Sequence, residues 1–115
     1  MKIINKSQNT VIAENALIAD TFFSRMRGLL NRSSLAFDEA LIITCCQSIH
    51  MLFMRFAIDA IFVDDENRVV GVVKNIKPFQ FSAIFFKASY VVETTVGTID
   101  RTKTVVGDWL QIKDS

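Results

Sequence analysis

The sequence predicts one β-dominated domain with a single substantial helix, and three observations carry that prediction. The chain has 115 residues, a length typical of one domain. Short apolar runs rich in β-branched residues recur along it, separated by polar clusters of Asn, Asp and Ser. A helical apolar period occurs with clarity in one place, between Asp20 and Asn31. With 50% hydrophobic and 22% charged residues, the chain holds ample material for a core.

Lys2–Asn5 and Asn9–Ala13 flank the polar Lys6-Ser7-Gln8, which predicts a first hairpin or a bent strand. Four glycines and one proline punctuate the chain, so most turns fall to Asn, Asp and Ser. Asp20 suits a helix N-cap, where its carboxylate can accept from a free first-turn amide. Phe22, Phe23, Met26, Leu29 and Leu30 then line one face of a helix over Thr21–Leu30, with Asn31 as its stop. Gly28 costs such a helix about 1 kcal/mol relative to Ala, which points to a close backbone approach.

From Leu41 onward the pattern is β. Strands are expected at Leu41–Cys46, Ile58–Val63, Val69–Val73, Tyr90–Glu93 and Trp109–Ile112. The polar residues Asp65–Arg68 form the turn of a hairpin between the second and third of these. Gly97–Thr102 is read as one helical turn. Phe79–Phe86 holds four of the ten phenylalanines, and its periodicity favours neither helix nor strand.

Composition narrows the function classes. The net charge is +1 and no Lys/Arg block occurs, so no nucleic-acid partner is expected. Arg25, Arg27 and Arg32 read as a solvated helix face. No window reaches the ~18 apolar residues of a membrane helix, so no membrane partner is expected. The start, MKIINKSQNT, lacks the apolar core of a signal peptide. The two cysteines, Cys45 and Cys46, are neighbours; on a strand they point to opposite faces and form no ordinary disulfide. A cytoplasmic, reducing setting is therefore expected. Asp64, Asp65 and Glu66 lack the spacing of a calcium loop and read as a solvated turn.

Several separated motifs together resemble a known family. They are Arg25-Met26-Arg27-Gly28-Leu29-Leu30, Cys46-Gln47-Ser48-Ile49-His50, Phe53-Met54-Arg55-Phe56-Ala57-Ile58-Asp59 and Phe62-Val63-Asp64. Arg68-Val69-Val70, Lys77-Pro78-Phe79, Tyr90-Val91-Val92-Glu93, Gly97-Thr98-Ile99-Asp100-Arg101-Thr102 and Val106-Gly107-Asp108 follow in order. This set resembles the bacterial and archaeal family called domain of unknown function 192, from Ile18 to Ile112. The resemblance implies a compact, mainly β single domain over residues 1–115, a sandwich or barrel-like fold with one short helix packed on it. It brings no established activity, substrate or cofactor. Ala57 stands where members often carry proline, which leaves the bend before Ile58 less constrained. Met51 replaces a more usual small polar residue, and Ile84-Phe85-Phe86 is unusually apolar.

The candidate site residues are Cys46, His50, Arg55, Asp59 and Glu93. Cys46 and His50 have a C-x3-H spacing with Met51 and Met54 nearby, yet no second Cys/His pair completes a metal site. No metal or cofactor is therefore expected, and a buried thiol is the plainer reading of Cys46. As a nucleophile, Cys46 would need His50 in contact and an acid such as Asp59 or Glu93 to orient the imidazole. On a strand Asp59 shares a face with Ile61 and Val63, so its carboxylate needs a partner, and Arg55 is the nearest charge. Glu93 raises the same question.

The expected function is a small binding domain that holds an anionic small molecule or peptide carboxylate near His50, Arg55 and Asp59, with Cys46 lining the floor. The alternatives are an enzyme using the same cleft, and an interaction module or weak homodimer working through Phe79, Phe81, Phe85 and Phe86.

Overall fold

Two sheets pack face to face, and side-chain alternation along their strands decides which residues lie between them. The computed structural model describes residues 1–19, 35–44, 56–78 and 80–114. Its strands are β1 (Lys2–Asn5), β2 (Thr10–Ala13), β3 (Asn15–Ala19), β4 (Glu39–Thr44), β5 (Ile58–Val63), β6 (Val69–Ile76), β7 (Tyr90–Thr94) and β8 (Leu110–Lys113). One short helix, α1 (Thr98–Thr102), lies among the described residues. The expected helix over Thr21–Leu30 falls outside them.

The smaller sheet has the order β2-β1-β8 and the larger β3-β4-β7-β5-β6. Among the described residues only the β3–β4 pairing is parallel and the other strand pairings are antiparallel. The result is mainly β and sandwich-like rather than a closed barrel. Ile3 and Ile12 of the small sheet meet Ile42, Ile61 and Val92 of the large one, with Ile99 of α1 at the margin. A second cluster covers the other face of the large sheet, where Leu41, Ile43, Ala60, Phe62 and Val91 gather Leu35 and Ala88. Every residue of β5 is buried, as a strand covered on both faces must be. That explains why its sequence, IDAIFV, shows no polar alternation.

The expected strand Ile58–Val63 is observed with those bounds, and the expected first hairpin is the antiparallel β1–β2 pair. β4 begins two residues earlier than expected, at Glu39, and Cys45 and Cys46 lie outside the described residues. β6 continues three residues past Val73 to Ile76, and β7 gains Thr94. β3 was not expected. Its residues NALIA carry one β-branched side chain, and what makes them a strand is parallel pairing with β4. The chain leaves the small sheet after Ala13 and enters the large one at Asn15, and the Glu14 and Asn15 amides both donate to Asp38 O (3.0 and 2.9 Å).

The β5–β6 turn is built as its polar residues suggest. Asp64 Oδ1 accepts from the Glu66 and Arg68 amides, both at 2.9 Å, and Asn67 takes the left-handed conformation at φ 65°. Gly71, inside β6, makes room for an aromatic ring. A Cβ there would lie 2.2 Å from a carbon of Phe85, whose ring stacks on Phe62 with centroids 4.3 Å apart. Glycine in mid-strand marks that close approach.

A buried polar network fastens the ends of the chain together. Asn5 Nδ2 donates to Thr104 Oγ1 and to Asp108 Oδ2, both at 3.0 Å. Asp108 also accepts from the Val105 amide and from Gln8 Nε2. Burial opposes its ionisation, but the bonds from Asn5, Val105 and Gln8 outweigh it and hold the carboxyl below the usual range.

Candidate functional site

Asp59 and Glu93 sit one register step apart on neighbouring strands. Asp59 pairs with Thr94, and Ala60 pairs with Glu93. Because successive side chains alternate, the two carboxylates project from opposite faces of the same sheet. Asp59 faces the small sheet and α1, whereas Glu93 faces the second apolar cluster. Both are buried, at 1% and 6% exposure.

Backbone amides fully engage Asp59. Its Oδ1 accepts from the Asn75 amide at 2.8 Å, and its Oδ2 from Gly97 and Ile99 at 3.1 and 3.0 Å. Gly97 is the N-cap residue of α1, has φ 96° and supplies no side-chain cap. A carboxylate from a distant strand therefore does the work of a cap. Asn75 stands at φ 52° near the end of β6, so one side chain pins a strand end and a helix start together.

Glu93 has no comparable support. Leu41 and Ala60 stand directly across from it on β4 and β5, and Ile43 and Phe62 lie diagonally on the same face. Glu39, the other carboxylate on this face of β4, accepts from the Ala36 amide at 2.8 Å. Among the described residues none bonds to the Glu93 carboxyl. Burial alone pushes that carboxyl up to about 8, so it is largely neutral at pH 7. No described side-chain oxygen or nitrogen is sealed from solvent without a partner.

Of the residues singled out by sequence, the structure describes Asp59 and Glu93 and separates them by the thickness of the sheet. Cys46, His50 and Arg55 lie outside the described residues. The strands on either side of their segment are described: β4 and β5 both run antiparallel to β7, one on each flank. Thr44 and Ile58 therefore stand at opposite ends of the sheet. Phe56, the first described residue after the segment, packs against the cluster that surrounds Glu93. Among the described residues, no group of three or more His, Cys, Asp or Glu side chains could hold a metal ion, and no helix is long and apolar enough to cross a membrane.

The phenylalanine-rich segment divides. Phe85 turns inward against Phe62, whereas Phe81, Ile84 and Phe86 are 67%, 56% and 77% exposed. Phe79 lies outside the described residues. Just before β6, Arg68 stacks over the half-exposed Trp109, 4.2 Å from its ring centroid. Sequence reading did not single out that pair, because 41 residues of chain separate two groups that an isolated bridge brings together.

Solved structures with this fold exist. A protein of unknown function from Novosphingobium aromaticivorans superposes with a TM-score of 0.78 at 20% identity, covering 96% of this chain and 82% of that one. A proposed transcription regulator from Sinorhizobium meliloti gives the same TM-score and identity, covering 96% and 89%. At that identity the likeness shows the fold alone. Curated relatives are nearer in sequence. A UPF0127 protein of Thermococcus sibiricus is 37% identical over 92% of this chain and 71% of its own length. One from Pyrococcus furiosus is 34% identical over 95% and 96%. The model of the family described as Uncharacterized ACR, domain of unknown function 192, matches residues 3–112. The chain belongs to that family, whose function is not established.

Proposed function

We propose that this protein is a small binding domain for an anionic small molecule or a peptide carboxylate, with its site on the Glu93 face of the five-stranded sheet. The observation that carries the reading is Glu93 itself: a carboxyl that is buried, unpaired among the described residues and mostly neutral at pH 7. Unpaired buried polar groups are costly, and such groups cluster where proteins bind or react. A neutral carboxyl can donate one hydrogen bond to an anion and does not repel it.

Arg55, His50 and Cys46 complete the proposed site. They lie in sequence between β4 and β5 and would approach the sheet from the Glu93 side. Packing of Phe56 on the Glu93 face supports that side. Arginine's planar fork suits a carboxylate or phosphate, and His50 adds a donor that strengthens below its unperturbed pKa of ~6.5. Asp59, turned to the other face, takes the supporting role of holding the sheet end and α1.

A thermal-shift screen of acetate, benzoate, inorganic phosphate and a dipeptide tests this. An anion at 100 times its dissociation constant should add about 2.7 kcal/mol of stability. Arg55→Ala should abolish the shift and Cys46→Ser should keep it. The reverse pattern would favour a thiol enzyme at the same place, and no shift with any anion would end the binding reading. A second proposal concerns association. Exposure of Phe81, Ile84 and Phe86 favours a weak homodimer or a protein partner there. Sedimentation that shows a monomer at millimolar concentration would dismiss the homodimer.

A further inference from the structure

We propose that the outer face of the three-stranded sheet binds single-stranded nucleic acid, with Lys2, Lys6, Arg68 and Lys113 on its phosphates and the Arg68–Trp109 stack under a base. Strand alternation builds this face. Ile3 and Asn5 are buried, so Lys2, Ile4 and Lys6 point outward from β1. On β8 the buried Leu110 leaves Trp109, Gln111 and Lys113 facing out. Register then joins the two strands. Lys2 lies directly across from Lys113 and Ile4 from Gln111, and the Lys6 amide donates to Trp109 O at 2.8 Å. An antiparallel bridge sets Arg68 beside Trp109, with its guanidinium 4.2 Å from the ring centroid. Lys6, Trp109 and Arg68 form one row across the face, and Lys2 and Lys113 form another. The sequence shows no basic block because these cations stand at positions 2, 6, 68 and 113.

Three observations point to this partner. First, the strands KIIN, TVIA and LQIK hold no acidic residue. Lys2 and Lys113 are opposed like charges, a pairing that destabilises a sheet and that a bound polyanion would relieve. Glu14 meets Lys2 at 3.8 Å, and the exposed Asp65 and Glu66 bound the face at the turn that leads to Arg68. Second, the two rows lie four residues apart along β1, about 13 Å. A single small anion reaches one row, whereas a phosphate chain reaches both. Third, a guanidinium over a half-exposed indole offers a flat surface on which bases of any sequence stack. An acidic peptide would use the cations and leave that surface idle. The face is independent of Glu93, which lies on the far side of the five-stranded sheet.

Fluorescence anisotropy of a labelled ten-nucleotide oligothymidylate, titrated with the full chain at 50 and 200 mM NaCl, tests the proposal. The oligonucleotide should bind and quench the emission of Trp109, the only tryptophan in the chain. Four phosphate contacts to a single strand predict a salt slope of about −3, so binding should be about fifty-fold weaker at the higher salt. Trp109→Ala should weaken binding by about tenfold or more, and Trp109→Phe, which keeps a ring, should recover most of that loss. The double variant Lys6→Ala/Lys113→Ala should flatten the salt slope by about 1.4. Lys87→Ala removes an exposed cation from the segment that packs on the opposite side of the molecule and should change nothing. Unfolding midpoints matched to the parent separate a loss of binding from a loss of fold. No binding at 50 mM NaCl would overturn the proposal, as would equal losses from Lys87→Ala and the double variant. Polyglutamate or phosphatidylserine vesicles that bind as tightly as the oligonucleotide, with Trp109→Ala having no effect, would assign the face to an acidic protein or a lipid surface instead.

Discussion

Asp59 and Glu93 are one register step apart, both acidic, both buried, and opposite in what the fold does with them. Asp59 receives three backbone amides. Glu93 receives none among the described residues and is pushed up to about 8 by burial. The contrast teaches that burial of an acid says little about its role until its donors are counted. A carboxylate met by amides is architecture, because the amides need it as much as it needs them. A carboxyl left without donors costs stability, and groups retained at such cost commonly serve binding or catalysis.

The largest expected effect breaks the architectural half of the comparison. Asp59→Ala should lower unfolding free energy by about 3–5 kcal/mol, since it strands buried amides of Gly97, Ile99 and Asn75 at once. Urea denaturation gives the value, and a loss below about 1 kcal/mol would show that the amides find other partners.

The opposite sign is expected on the other face. Burial pushes the Glu93 carboxyl from its ordinary value of 4.5 up to about 8. Between those values the folded state holds a proton that the unfolded state has released. Stability therefore falls as pH rises from about 4.5 to about 8, and the penalty is constant above that. Glu93→Leu should remove the penalty and raise stability by about 2–3 kcal/mol at pH 7, with little of that gain at pH 4. Equal gains at both pH values would mean that the leucine packs better and that the carboxyl was not strained.

A third, smaller effect probes the packing beside Glu93. Gly71→Ala should cost about 1–3 kcal/mol, because the new methyl meets the Phe85 ring. Adding Phe85→Leu should recover part of the loss, and simple additivity in the double variant would show that the ring and the glycine are not coupled.

The smallest effect concerns Asp108, whose carboxyl is held below the usual range by Asn5, Val105 and Gln8 despite burial. Its stabilisation is complete above the unfolded carboxylate pKa and is lost as pH falls through the folded one. Acid unfolding of Asp108→Asn should accordingly be less steep below pH ~4 than that of the parent. Superimposable acid limbs would show that the network is indifferent to the charge.

Sequence and tertiary structure divided the work along physical lines. The β-branched run Ile58–Val63 and the alternation Tyr90-Val91-Val92-Glu93 were legible because a strand's period is local and needs a few residues to declare itself. The same alternation marked Asp59 as inward and Glu93 as an acid on an apolar face. The Asp64 turn was equally legible, since its bonds close within four residues. β3 was not, because it becomes a strand by pairing in parallel with β4, which begins 24 residues after it in register. Nor were the donors to Asp59, which lie 16, 38 and 40 residues away. The sequence offered Arg55 as the near partner, but nearness in sequence is no guide to which amides a sheet and a helix start bring together. By itself the sequence determined the apolar strand Ile58–Val63 and the presence of one acid, Asp59, inside it. Only the tertiary structure decided which polar group would be satisfied, because hydrogen-bond donors are assigned by topology and not by composition.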